Sequence, residues 1–400
     1  MRVRVCDDDE AIADGWVATI QAEAPADAEV ARLPNAKEEV SNLLRRKLAA
    51  EKGENPLAQA CGFDGIDVLA VDYDLIHLDE EGSRTTGEGI ARLARTFSNC
   101  GVIVVMNQFK GPQFDLGMRG HLDSFAEINV DATLVGRAAL WRDLEPTDGQ
   151  FDPTIWTPLP QQLGAVRTLS GELQNKGLDT PLMEAIGLNE SALAELSDTA
   201  FGFLSLEAET ASELANVTPR TFLNRWLAGE LVTTLEAHAR KTLYDFTAFR
   251  VAKWLDRSVL RPMDVLVDSA HLIDRLPFMI DPEKLDATDA NAWAKAARDP
   301  ENSLRMDILG QYRNENASKV LGRTVFDWYR LSGDDKIDEL QDAYLEAQPE
   351  RFYLAEDTSR FVTKDAITRY RSDFHNFGDR RAVERLADVT YGPMRRVTFG

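Results

Sequence analysis

Two apolar runs that stop on carboxylates constrain this chain more than anything else in it. Val3-Arg4-Val5-Cys6 runs into Asp7-Asp8-Asp9, and Val68-Leu69-Ala70-Val71 runs into Asp72-Tyr73-Asp74-Leu75. Short apolar runs mark buried parallel strands, and ligands gather at the carboxyl ends of such strands. If the two strands are neighbours, Asp7, Asp8 and Asp72 meet at one edge of the sheet. Uncompensated carboxylates raise one another's pKa, and a hard divalent cation relieves that conflict. Mg²⁺ is the common choice where oxygen ligands meet a phosphoryl group.

The surrounding sequence extends the pattern. Gly101-Val102-Ile103-Val104-Val105-Met106 reads as a fourth buried strand and Ala132-Thr133-Leu134-Val135-Gly136 as a fifth, with a helix over Gly89–Arg95. Alternating strand and helix signals predict an α/β doubly wound parallel sheet. Glu38–Leu48 has helical spacing, with acidic residues leading and basic ones following, as the helix dipole favours; it reads as a lengthened second helix. The polar stretch Asp79–Gly87 reads as a solvated loop.

Over roughly residues 1–145, about a third of the chain, this arrangement resembles the receiver domain of two-component response regulators. In that family an acidic pair after the first strand helps bind Mg²⁺, and an aspartate ending the third strand accepts a phosphoryl group. The resemblance implies a flavodoxin-like fold, with Asp7 and Asp8 as the acidic pair and Asp72 as the phospho-acceptor. Leu75 matches the family's Asp-x-x-Leu pattern, and Asp74 would offer its backbone carbonyl to the metal. Two positions depart from the family. Where it places Ser or Thr at the end of the fourth strand, this chain has Met106, followed by Asn107, whose amide can donate a hydrogen bond. Where it places Lys at the end of the fifth, this chain has Gly136-Arg137. Arg137 is therefore one candidate cation and Lys110, in the loop after the fourth strand, the other; a guanidinium binds phosphate well but with a different reach. The resemblance implies a histidine kinase or phosphotransfer protein as partner.

Composition sets outer limits. At 400 residues two or three domains are expected. The formal net charge is −22 and the pI near 4.7, with the acidic excess shared between residues 1–145 and the remainder. Neither part offers the basic footprint of a nucleic-acid binder, which counts against a transcription-factor output. Cys6, Cys61 and Cys100 have no disulfide or metal spacing and lie in or beside apolar runs, so buried thiols in a reducing compartment are expected. No signal-peptide core is present, and no apolar stretch approaches the ~20 residues that span a bilayer. The expected location is cytoplasmic. Prolines across Leu144–Pro160 punctuate the chain. The expected division is a receiver-like domain at 1–145, a proline-rich connector and helix at 146–175, and an α-helical domain at 176–400. Leu159–Asn175 would supply the receiver's last helix.

The remainder reads as helices. Asn189 caps one and Thr218-Pro219 opens another, and the longest run extends from Gly229 to about Val259. Asp264–Asp268 reads as a short strand or buried turn. Helices are expected over Thr288–Ala297, Glu315–Leu331, Lys336–Glu346 and Lys364–Phe374, with a strand at Arg351–Leu354. Trp226, Trp254, Trp293 and Trp328 read as core. His238, with Lys241 three residues on, echoes phosphotransfer helices but is more simply a surface histidine. Asp264, Asp268, His271 and Asp274 cluster, yet helix capping and ion pairs with Arg261 and Arg275 explain them without catalysis. The basic tail Tyr391–Gly400 would dock on this acidic chain. No P-loop, GxSxG or GxGxxG is present.

Three functions are compatible with these residues. The first is a phospho-receiver that signals through a downstream protein partner or a homo-oligomer, a design similar to the receiver-bearing components of bacterial defence phosphorelays. The second is a pseudo-receiver that binds without phosphoryl chemistry. The third is a receiver-controlled enzyme, which requires a deep polar pocket around Asp264, Asp268 and His271.

Overall fold

Strands whose side chains are apolar on both faces can only be buried in the middle of a layered domain, and this chain has several. The computed structural model describes residues 1–75, 85–107, 111–114, 122–143, 149–153, 157–347, 350–370 and 381–391. Five strands, β1 (Arg2–Cys6), β2 (Glu29–Arg32), β3 (Val68–Asp72), β4 (Val102–Asn107) and β5 (Ile128–Asp131), pair in the order β2-β1-β3-β4-β5. Every pairing is parallel. All residues of β3 and β4 are buried. Cys6 stands opposite Val71, Asp72 opposite Met106, and Asn107 opposite Asp131, so four strands end at one edge.

Helices cover this sheet. Asp9 caps α1 (Glu10–Glu23), its carboxylate accepting from the Ala11 and Ile12 amides at 2.8 and 3.2 Å. The lengthened second helix is present as α2 (Ala36–Glu51). Thr86 caps α3 (Gly87–Phe97), its hydroxyl accepting from the Gly89 amide at 3.1 Å. Past the proline-rich segment lie α4 (Leu159–Lys176) and α5 (Arg240–Trp254). Every residue from Thr242 to Trp254 is buried, the mark of a helix enclosed on all sides. It packs against both α3 and α4, joining the sheet to the helical region.

The fifth strand is not Ala132–Gly136. Those residues form a 3₁₀ turn, and Ile128–Asp131 pairs with β4 instead. A short apolar run cannot by itself separate strand from turn. Here Asp131 decides it, because its Oδ1 accepts from the Thr133 amide at 2.8 Å and starts the turn. The long run from Gly229 likewise divides at Ala239, which leaves helical geometry between Gly229–His238 and α5. A π-helical turn, Leu255–Leu260, then extends α5.

The rest of the chain is helical with small sheets. Glu315–Leu331 is not one helix: Gly322 ends Glu315–Leu321 at φ 68°. The segment then re-enters as β7 (Val325–Asp327), antiparallel to β6 (Leu266–Asp268). Among the described residues of the expected helix at 364–374, only Lys364–Ala366 is helical, as a 3₁₀ turn, before the strand Thr368–Arg369; residues 371–374 lie outside them. So do 79–84 of the polar loop and 392–400 of the basic tail. One apolar cluster runs from the sheet through α4 and α5, and a second gathers residues between Met263 and Phe361. All three cysteines are buried and unbridged. Among the described residues no helix is long and apolar enough to cross a membrane.

Gly101, entering β4, shows how close the layers lie. A Cβ there would sit 2.1 Å from the Asp67 carbonyl oxygen and 2.8 Å from Leu163 Cδ1 of α4. The obstacle is backbone and cannot rotate away, so Gly101→Ala is expected to destabilise by about 3 kcal/mol. A urea titration measures this, and an unchanged midpoint would contradict the packing described.

Candidate functional site

The carboxyl edge of the sheet gathers acids from three strands. Asp7 follows β1 directly and is buried, its Oδ1 accepting from the Asp9 amide at 2.9 Å. Burial, and after it the charge of Asp8, pushes its carboxyl up against the opposing pull of that amide. Asp72 ends β3 with 3% of its surface exposed, and its Oδ2 accepts from the Asp74 amide at 3.0 Å. Burial first and then Asp7 push it up to about 6. Cys6, at the end of β1, registers the same crowding. Burial raises its thiol to about 12, and the charges of Asp7, Asp72 and Asp8 add to the rise.

The three predicted acids are therefore brought together. They lie where the strand order reverses between β1 and β3, the crevice in which open α/β sheets bind ligands. Beside them a cleft of about 550 Å³ opens toward α2, lined by Asp7 and Asp8 with Arg32, Lys37, Ser41 and Arg45. The donor chemistry suits Mg²⁺: oxygen only, with carboxylates whose mutual repulsion a divalent cation would relieve. Among the described residues no three acid, imidazole or thiol side chains form a ready cage for a metal. Mg²⁺ does not require one, because it usually keeps several waters and takes only one or two carboxylates. Asp74, whose carbonyl the resemblance assigns to the metal, is exposed in the turn after β3 and forms an antiparallel bridge with Thr86.

The remaining predicted residues fare differently. Asn107 ends β4, buried, two strands from Asp7. Arg137 does not end a strand. It follows the 3₁₀ turn, six residues past the true strand end, because Asp131 rather than Gly136 closes β5. Lys110 lies outside the described residues. The position at which the resemblance expects a cation is thus an acid, Asp131, 1% exposed and with Oδ2 lacking a hydrogen-bond partner.

Glu88 was not singled out by sequence reasoning, although it belongs to this edge. It sits in the first turn of α3, buried, and its carboxylate accepts from Ser124 Oγ at 2.7 and 2.8 Å and from Asn129 Nδ2 at 2.7 Å. An acid in a helix's first turn is ordinary in sequence, so its burial had no local signal.

The second acidic cluster has a structural explanation. Asp268 caps the helix Ser269–Arg275, meets His271 Nδ1 at 2.6 Å, and pairs with Arg323 at 3.3 Å. His271 Nε2 faces Arg381 and lies 3.4 Å from Glu356. Both imidazole nitrogens are committed within the protein. Burial works against charge on Asp268, but His271 and Arg323 hold its carboxyl well below the usual range. His271 and Asp274 line one cavity of about 360 Å³ and Asp268 a different one of about 370 Å³, not a shared deep pocket. His238 is exposed.

Compared with known proteins, the chain matches no family model, no curated protein and no solved structure.

Proposed function

We propose that residues 1–145 form a flavodoxin-like receiver domain in which Asp72 accepts a phosphoryl group from the phosphohistidine of a partner kinase or phosphotransfer protein. One observation carries this reading: the strand order β2-β1-β3-β4-β5 sets Asp7, Asp8 and Asp72 together at the β1/β3 switch point. Flavodoxin-like folds order their strands in the same way, which supports the reading. With its pKa near 6, Asp72 is mostly ionised at neutral pH and so is a competent nucleophile.

In the transfer, a carboxylate oxygen of Asp72 forms a bond to phosphorus as the phosphorus–nitrogen bond breaks, and the imidazole leaves with that electron pair and takes up a proton. Asp7 and Asp8 would hold Mg²⁺, which when bound supplies positive charge to the transferring oxygens. The Asp74 amide fixes the nucleophile's orientation. Asn107, at the end of β4, is the nearest described counterpart of the family's hydroxyl donor. The acidic exterior and the large helical region favour an output through protein contacts.

A second reading, a metal-binding pseudo-receiver, is favoured by Asp131 standing where a cation is expected. Acetyl phosphate with Mg²⁺, read on a phosphate-affinity gel, separates the two. A shifted band that disappears in Asp72→Ala is the expected result. Mg²⁺ binding without a shifted band, including with phosphohistidine donors, would establish the pseudo-receiver.

A further inference from the structure

We propose that Glu88 couples the acidic site to the helical region, so that a change of charge at Asp72 is read by α5 through Ser124. This rests on Asp72 being the working acid of the site, and it adds the route by which that site is reported.

The route begins at the turn after β3, which is clasped to the start of α3. The Gly87 amide donates to the Tyr73 carbonyl at 2.9 Å, and Asp74 bridges to Thr86. A Cβ on Gly87 would lie 2.4 Å from the Asp72 carbonyl oxygen, so the two backbones are in direct contact and cannot shift independently. Glu88 is the next residue. Its buried carboxylate receives the Ser124 hydroxyl and the Asn129 amide at 2.7–2.8 Å, which ties the head of α3 to the segment entering β5.

From the far side α5 holds that same segment. Arg250 donates to the Ser124 carbonyl at 2.6 Å, Lys253 to the Ser124 and Ala126 carbonyls at 2.7 and 2.5 Å, and Arg257 to the Glu127 carbonyl at 3.0 Å. Spacings of three and four place these cations on one stripe. Arg250 cannot yield locally, because Trp226, Phe125 and Phe203 surround it with ring centroids 4.0, 4.7 and 5.2 Å away. Ser124 thus has its hydroxyl on Glu88 and its carbonyl on α5. Charge adds to the link: burial works against charge on both Lys253 and Arg250, Arg257 and Arg250 press Lys253 down further, and Glu88 is among the acids that oppose that fall. Moving or neutralising Glu88 disturbs α5 both by geometry and by charge.

A purely stabilising network would show no selective response to the site, and hydrogen exchange separates the two cases. Asp72→Asn alters the site without any phosphodonor. Amides of Thr242–Trp254 are compared with those of the helix Ala290–Arg298 in the second apolar cluster, which correct for global stability. The expected result is at least a threefold change in α5 exchange relative to that helix on Asp72→Asn, falling below about 1.5-fold when Glu88→Ala, which removes the acceptor of the Ser124 hydroxyl, is also present. Ser124→Ala serves as the second variant if Glu88→Ala does not fold. The proposal is overturned if α5 and the reference helix shift together, or if the selective change persists undiminished without the Glu88–Ser124 link. Phosphoryl transfer to Asp72, measured separately, reports on the receiver reading, so either can fail alone.

Discussion

Asp72→Asn is expected to make the metal-free protein more stable at pH 7 by about 3 kcal/mol, while leaving its stability near pH 4 almost unchanged. Burial and the neighbouring Asp7 raise the Asp72 carboxyl from 3.8 to about 6 in the folded chain. The folded state therefore binds that proton more tightly than the unfolded state does. The associated stability is present below about pH 4 and is lost as pH rises through about 6, at roughly 1.4 kcal/mol for each pH unit crossed between the two values. Asn has no proton to lose and escapes the decline. Urea midpoints of both proteins from pH 4 to 8 make the measurement, and parallel profiles would show that the site is not strained in this way. Mg²⁺ should close most of that gap by stabilising the acidic protein more than the variant, by about 2.7 kcal/mol at a hundred times its dissociation constant. Sites that act are commonly less stable than their neutralised variants.

Those carboxylates were legible because strand and candidate site share one short signature. Val68–Val71 is a continuous apolar run, Asp72 breaks it, and a run of that length suits a buried parallel strand. The same reasoning failed at β5. Ile128-Asn129-Val130 alternates and is short, while Ala132–Gly136 is more continuously apolar, yet the Asp131 side chain captures the Thr133 amide and turns the chain. A single capping bond moved the strand end by five residues. It also removed Arg137 from the position that its candidacy required.

Glu88, Ser124 and Arg250 were beyond reach for a different reason. The Glu88–Ser124 bond spans 36 positions and the Arg250–Ser124 bond 126, and each residue looks solvated in its own stretch of sequence. The cluster at His271 repeats the lesson. Its capping by Asp268 was foreseeable from spacing, but Arg381 comes from 110 residues away. Capping and periodicity are local and can be read directly. Buried charges are satisfied by whatever the topology brings near, so they become visible only when the layers are assembled. Here α5 does that assembling: Arg257 in its π-helical extension donates to Glu127, while the adjacent Asp256 accepts from Arg323, the partner of Asp268.

Arg95→Met is expected to be the most damaging single change, with a loss of about 3–5 kcal/mol. Arg95 and Glu127 are 1% and 3% exposed and 2.7 Å apart, so neither charge has water as an alternative partner. Arg95 also donates to the Cys100 and Gly101 carbonyls at 2.8 and 2.7 Å and lies over the Phe249 ring of α5 at 3.6 Å. Met fills part of the volume but strands Glu127, whose carboxyl burial already pushes up despite Arg95 and the Ile103 amide. Without the guanidinium that carboxyl rises further. The deficit should accordingly shrink as pH falls and Glu127 takes up its proton, and grow as pH rises. Adding Glu127→Gln should recover a large part of it, because removing both charges leaves no uncompensated ion. Urea midpoints at pH 5 and 8 for the single and double variants test this, and a deficit independent of pH, or no recovery with Gln, would locate the damage in packing instead. Glu127 enters β5 and its carbonyl is held by Arg257, so the same pair that stabilises the sheet fixes the segment through which α5 meets the acidic edge.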